Sequence, residues 1–313
     1  MKKIRTISIL GPTASGKTGL AIELAGRLSG EVVSCDSMQL YRGMDIGTAT
    51  PTIEEQKGIP HHLFDIITPD MEFSVADYAR VAGQAVEEIA ARGNLPILCG
   101  GTGMYHDALM KLTSFSPGER DERLRAELTE FARLNGNCAL HEKLAEIDPE
   151  AAEAIHPNNV IRVIRAIEVY RTTGKTKTET DREQTSGETP YNNTPIILDF
   201  TNRELLYKRI DMRVDMMIES GLVEEAKRIL SIKGLSKTAY QAIGYKEFEP
   251  YFRGECSLKD AADTIKLATR HYAKRQMIWF RHKYDGIRIA PDRDDAMRSS
   301  CDMADEILER LEL

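Results

Sequence analysis

Apolar positions in the first hundred residues alternate between two patterns. Ile4–Leu10 is a short apolar stretch broken only by Arg5, and it runs directly into the glycine-rich segment Gly11–Thr18. Beyond it, Leu20, Leu24 and Leu28 recur at helical spacing over Thr18–Leu28, and Ser29-Gly30 marks a stop. Glu31–Cys35 predicts a short buried strand. Ser74 with Asp77 three residues on is a capping-box variant. It opens a helix whose apolar face is Val75, Tyr78, Ala82, Val86 and Ile89, closed by Gly93. Leu95–Cys99 predicts a further buried strand that ends in Gly100-Gly101-Thr102-Gly103. Strand, helix and strand in this order predict a parallel sheet with helices on its faces.

The rhythm changes near Phe115. From Ser116 to about Tyr191 the chain is highly charged, with helices predicted over Glu119–Leu134, Cys138–Ile147 and Asn159–Thr172 and a polar loop over Thr172–Thr194. Strand character resumes at Ile196–Phe200, followed by one long helix from about Arg203 to Leu230. The expected organisation is therefore an α/β core in residues 1–115 and 192–313, interrupted by an all-helical insertion at 116–191.

Composition narrows this picture. At 313 residues with 42% hydrophobic and 29% charged positions, the chain has the make-up of a soluble globular protein. No apolar run approaches the roughly 18 residues of a membrane span. Met1-Lys2-Lys3 followed by an apolar stretch faintly resembles a signal peptide, but Arg5, the missing small-residue cleavage site and the glycine motif argue for a first strand. A cytoplasmic monomer is expected, with no membrane association. Cys35, Cys99, Cys138, Cys256 and Cys301 are odd in number and never spaced Cys-x-x-Cys, which speaks against disulfides and structural zinc. The histidines form no His-x-x-x-His pair, and His61-His62 are expected to make ordinary hydrogen bonds in a loop. The net charge of −7 is unevenly spread. Residues 265–288 carry seven Lys and Arg against Asp285 alone, and the acids collect after residue 291, so an overall acidic balance leaves room for a local basic surface.

Gly11-Pro12-Thr13-Ala14-Ser15-Gly16-Lys17-Thr18 matches G-x-x-x-x-G-K-[ST], with a strand before it and a helix after it. Such a loop turns successive backbone N–H groups toward one concavity at a helix N-terminus. Lys17 adds charge for phosphate oxygens, and Thr18 offers a hydroxyl to Mg²⁺. The later strand Leu95–Cys99 lacks the acid that commonly holds magnesium in nucleotide hydrolases. An acid appears instead at Asp36, ending the second strand, on the rim where the strand carboxyl ends face the cradle. Asp36 fits a magnesium partner, a general base or a loop cap. Arg209 and Arg213 share one helix face. Two readings are open for them: a diphosphate clamp, or a solvated pair satisfied by Asp215 or Glu219. Arg270–Tyr284 interleaves cations with Tyr272, Trp279, Phe280 and Tyr284, which suits either single-stranded RNA or an amphipathic helix with Trp279 in the core. Gln241–Lys246 is a second candidate contact surface.

Taken together these stretches resemble the tRNA dimethylallyltransferase (tRNA isopentenyltransferase) family. The resemblance runs in order through GPTASGKT at 11–18, DSMQLYRGMDIGTATP at 36–51, HHLFDI at 61–66 and GGTGMY at 100–105. It continues through RVIRAIEVYRTTG at 162–174, RIDMRVDMM at 209–217, QAIGYKE at 241–247 and AKRQMIWFR at 273–281. It implies a P-loop NTPase-like parallel sheet flanked by helices and transfer of a dimethylallyl group from dimethylallyl diphosphate, with Mg²⁺. The acceptor would be N6 of the adenosine immediately 3′ of the anticodon in tRNA. Asp36 would be the general base, with Thr18 and Arg213 stabilising the departing diphosphate held by Gly11–Thr18. Ser37, Met38 and Gln39 would contact tRNA beside Asp36, as would Thr102. The loop Gln241, Ala242, Ile243, Gly244, Tyr245 and Lys246 would do the same, and Arg275, Trp279 and Arg281 are candidates from the basic segment. The insertion would close on the anticodon stem-loop through Arg162 and Arg165. Thr50 stands where the family commonly has lysine, and the zinc finger of eukaryotic members is absent, which fits the compact bacterial form. The competing reading from the residues themselves is a P-loop small-molecule or nucleoside kinase.

Overall fold

The computed structural model describes residues 3–111, 121–185 and 189–312. Six strands form one parallel sheet: β1 (Ile4–Leu10), β2 (Gly30–Ser34), β3 (His61–His62), β4 (Leu95–Gly100), β5 (Tyr191–Leu198) and β6 (Ile287–Ile289). Their spatial order is β3-β2-β4-β1-β5-β6. Both faces are covered, as a parallel sheet requires. Ile7, Ile9, Val32 and Ile97 pack against Leu20 and Leu24 of the helix Lys17–Leu28 and against Met303 and Ile307 of the helix Ser300–Arg310. The alternate positions Val33 and Leu98 face Tyr78, Val86 and Ile89 of the helix Val75–Ala91. That second helix opens on the expected box: Ser74 accepts from the Asp77 N–H, and Asp77 accepts from Ser74. The acidic tail thus ends in a helix that helps cover the sheet.

The chain divides into two compact units, Met1–Met110 with Pro190–Leu313, and Lys111–Thr189. The expected boundary at residues 115 and 116, and the start of the helix expected over Glu119–Leu134, lie outside the described residues. In the second unit, Leu128, Leu140, Leu144, Val163 and Ile167 from successive helices build a separate core. Its centre carries a charge. Glu168 is fully buried and accepts from Arg125 at 2.7 Å and Arg165 at 2.6 Å. Burial alone would raise its carboxyl, but the two guanidinium groups outweigh that and hold it at about 2. The folded value lies below the ordinary one of 4.5. Its contribution to stability is therefore complete above pH 4.5 and is lost as pH falls toward 2. Thermal melting should show this unit weakening over that window, and a Glu168→Gln chain should lack the step.

Four local expectations are corrected. The long helix is two, Arg203–Glu219 and Leu222–Leu230, broken at Gly221, whose φ of +102° lies in the left-handed region. The expected loop at Thr172–Thr194 contains a helix, Lys177–Thr185. Thr176 and Glu179 exchange hydrogen bonds there as a capping box that the polar composition concealed. The fifth strand begins at Tyr191, five residues before the expected Ile196, because Tyr191–Thr194 pairs with Ile4–Ile7. His61-His62 form an edge strand on Val32-Val33 rather than a loop. They do make ordinary hydrogen bonds: His61 Nδ1 with the Ile59 carbonyl at 2.8 Å, and His62 Nε2 with Glu31 at 2.6 Å.

Candidate active site

The strand–loop–helix junction after β1 builds the cradle. Leu10 ends the strand, Gly16 takes φ +88°, Ala14 takes φ +61°, and the helix begins at Lys17. Several contacts fix the loop. Lys17 Nζ donates to the Pro12 carbonyl at 2.7 Å, and Arg209 Nε donates to the Ala14 carbonyl at 3.0 Å. The Thr13 N–H donates to the Gln276 side chain at 2.8 Å. Burial pushes the Lys17 ammonium down to about 8, and the charge of Arg213 adds to this while Cys99 and Asp36 oppose it.

Asp36 follows β2 on the same rim. Cys35 N–H bonds to the Cys99 carbonyl at 2.8 Å and Thr102 N–H to the Cys35 carbonyl at 3.1 Å, so the ends of β2 and β4 are tied together. Ser37 N–H then donates to Thr102 Oγ1 at 3.1 Å, and Met38 N–H to Asp36 Oδ1 at 2.9 Å. The carboxylate is held in a tight turn with its second oxygen free of any hydrogen bond among the described residues. The glycines beside it are close-packing positions. A Cβ on Gly100 would come within 2.1 Å of the Cys35 carbonyl oxygen, and one on Gly101 within 2.1 Å of Gln276 Nε2. A Cβ on Gly103 would come within 2.2 Å of the Trp279 indole.

The carboxylates nearest along this helix are taken up by other partners. Asp215 binds Lys266 at 2.6 Å and Asp211 binds Arg270 at 2.7 Å, while Arg213 has no carboxylate within 4 Å among the described residues. Half-buried and unpaired, its guanidinium is shifted down by burial, with Arg209 adding and Asp36 opposing. A desolvated cation of this kind is poised for an anion.

These groups share one cavity of about 430 Å³. Thr13, Ala14, Lys17 and Thr18 line it with Asp36, Ser37, Met38, Gln39 and Arg213. The loop contributes Gln241, Ala242, Ile243, Gly244 and Lys246, and the helix Leu258–Lys283 contributes Tyr272, Arg275 and Gln276. Ser15 and Gly16 face a second cavity, of about 690 Å³, that shares Lys17, Thr18 and Arg213 with the first.

The family model described as IPP transferase matches residues 39–283. The chain belongs to the IPP transferase family. A tRNA dimethylallyltransferase of Halalkalibacterium halodurans is 50% identical over 281 residues, 90% of this chain and 89% of that protein. Among solved structures, the full-length tRNA isopentenylpyrophosphate transferase of Bacillus halodurans is 44% identical, with a TM-score of 0.69 over 99% of this chain and 97% of that one. A eukaryotic dimethylallyltransferase acting on tRNA is 33% identical, with a TM-score of 0.75 over 88% of this chain and 69% of that one. The IPP transferase fold of these structures, a helix-flanked parallel sheet carrying a P-loop, is the fold of this chain.

Several residues expected at RNA are engaged elsewhere in this IPP transferase. Tyr245 is a core residue: its ring is fully buried and its hydroxyl donates to Glu225 at 2.8 Å, so a contact to a large polymer is sterically closed to it. Arg281 is committed to Asp199 through Nε at 2.9 Å and Nη2 at 2.7 Å. Trp279 packs on Gly103 and beside Leu10, Ile197 and Phe280, with the Lys283 ammonium 4.3 Å over its ring. Neither Arg281 nor Trp279 lines either cavity. Thr102 acts on Ser37 rather than lining the cavity. In the helical unit Arg162 is exposed and Arg165 is paired with Glu168.

Two residues were missed. Glu225, on the helix Leu222–Leu230, accepts the Asp45, Ile46 and Gly47 N–H groups at 2.9–3.0 Å and so anchors the DIGT turn beside the cavity. Gln276 links the P-loop to Gly101. Each is a polar residue in the buried phase of an amphipathic helix, and that phase was the available signal.

Proposed function

We propose that this protein transfers the dimethylallyl group of dimethylallyl diphosphate to N6 of the adenosine immediately 3′ of the anticodon in tRNA, releasing diphosphate. The observation that carries this reading is the sharing of one cavity by a P-loop, an unpaired arginine and a turn-held carboxylate. Backbone N–H groups of Ala14–Thr18 and the Lys17 ammonium take the diphosphate. The adenine amine attacks C1 of the prenyl group, the C1–O bond breaks, and the proton leaving N6 passes to Asp36. Arg213 neutralises the charge that grows on the departing oxygen. Ser37–Gln39, the Gln241–Lys246 loop without the Tyr245 side chain, and Arg275 receive the anticodon loop, while the helical unit, with Arg162 exposed, grips the stem.

Magnesium fits as a companion of the diphosphate. No cluster of three or more His, Cys, Asp or Glu among the described residues could cage an ion. Magnesium commonly needs only substrate phosphates, waters and one or two protein oxygens, of which the Thr18 hydroxyl would supply one. When bound it screens the diphosphate charge.

Incubation with Mg²⁺, radiolabelled dimethylallyl diphosphate and an unmodified anticodon stem-loop should transfer label, and replacing the adenosine after the anticodon by guanosine should abolish transfer. ATP turnover onto a small acceptor without label transfer would instead establish the kinase reading. The Lys17 ammonium adds a pH signature. With its value near 8, donor affinity should weaken as pH rises through that region. Binding above it should take up a proton, because the bound anion restores the ammonium. Calorimetry in two buffers of different ionisation enthalpy reads that proton, and Lys17→Met should remove it.

A further inference from the structure

Gln276 belongs to neither set of residues expected to touch substrate, yet it is the side chain that joins the two halves of the site. It lies on the helix Leu258–Lys283 and is 5% exposed. Its Oε1 accepts from the Thr13 N–H at 2.8 Å, and its Nε2 donates to the Gly101 carbonyl at 3.0 Å. A backbone N–H can only donate and a carbonyl can only accept, so the orientation of the amide is fixed by its partners. No other side-chain type of this length supplies one acceptor and one donor in that geometry at neutral pH. Gly101 has no room for a Cβ because Nε2 occupies the place.

The consequences run in both directions from this amide. On the donor side, the Thr13 peptide is turned toward Gln276, which sets how the following turn through Ala14 and Ser15 presents its N–H groups. On the acceptor side, the Gly101 carbonyl fixes the segment that carries Thr102. Thr102 holds Ser37 at 3.1 Å, and Ser37 adjoins Asp36. The same helix supplies Tyr272 and Arg275 to the cavity.

We infer that Gln276 is a positioning residue that sets the register between the diphosphate cradle and Asp36, so that it governs the rate of prenyl transfer rather than the affinity for either substrate. This inference rests on the transfer reaction proposed above. Rate is sensitive to such registration because an error of about 1 Å between reacting groups costs on the order of 10²-fold.

Two variants test it in the full-length protein with donor and stem-loop. Gln276→Met keeps the length and loses both hydrogen bonds, so kcat should fall on the order of 10²-fold with KM for both substrates within about threefold. Gln276→Glu keeps the acceptor for Thr13 but at high pH sets a carboxylate against the Gly101 carbonyl. Protonation restores the donor. Burial raises such a carboxyl, so the rate relative to wild type, read well below the melting transition at both pH values, should climb by roughly tenfold from pH 8.5 to pH 6. A purely structural glutamine would lower stability without that pH-dependent rescue.

A Gln276→Met protein with kcat within about threefold of wild type would overturn the inference, as would a Gln276→Glu rate ratio that is flat with pH. A rise in KM with kcat intact would also overturn it. Wild-type protein that transfers no label would remove the underlying reaction and this inference with it, whereas a transferring wild type matched by its variants removes the inference alone.

Discussion

Asp36→Asn should lower single-turnover prenyl transfer by about 10³-fold while leaving stem-loop affinity within about threefold. The substitution is nearly isosteric. Its carbonyl oxygen can still accept the Met38 N–H that Asp36 Oδ1 accepts at 2.9 Å, so the turn carrying Ser37 and Met38 stays in place. What is lost is a site for the proton that must leave N6 when nitrogen becomes bonded to carbon. Removal of a well-placed general base typically costs 10²–10⁴-fold, and the remaining catalysis comes from positioning and from the cations around the diphosphate. A second consequence is electrostatic. The charge of Asp36 opposes the downward shift of both Lys17 and Arg213. Its neutralisation should therefore lower the pH above which donor binding weakens. Rapid-quench measurement with labelled donor, together with filter binding of the stem-loop, separates the two effects. A rate within tenfold of wild type would reduce Asp36 to a loop cap.

How much of this was legible in the chain follows from which interactions are local. The P-loop is written in consecutive residues, because its function needs only one turn and the first residues of one helix. Asp36 was legible because a strand end in a parallel sheet has a known direction, so one apolar run and the acid after it place the side chain. Arg213 was only half legible. Helical spacing put Asp215 and Glu219 within reach as partners, and nothing along that helix said that Lys266 and Arg270, more than fifty residues later, take up Asp215 and Asp211 instead. Tyr245 failed for a similar reason. Its motif neighbours Gln241 and Lys246 do line the cavity, but its own phase turns it toward Glu225, a partner twenty residues earlier. Gly221 ended a helix that its sequence neighbours would have continued, because its effect is a backbone angle rather than a polarity. Local chemistry reads out, and pairings across elements do not.

The unpaired state of Arg213 makes the other large effect. Arg213→Ala should reduce kcat by roughly 10²–10³-fold and raise KM for the donor far less, because negative charge on the leaving oxygen is greater in the transition state than in bound substrate. The site is built for that difference. The guanidinium is half-buried and its desolvation is not relieved by a carboxylate within 4 Å, so the favourable interaction is reserved for an incoming anion. Arg213→Lys should recover part of the loss, since a point charge remains but the fork of donors does not. Arg209 is the internal comparison on the same helix. It clamps the Ala14 carbonyl at 3.0 Å, so Arg209→Ala should act mainly on donor KM through a loosened loop. Product inhibition supplies a further contrast, because diphosphate carries the developed charge. Its inhibition constant should weaken in Arg213→Ala by more than the donor KM rises. Equal changes in both would mean that Arg213 binds substrate and leaving group alike, and that the stabilisation of departure must come from Lys17 and the loop N–H groups alone.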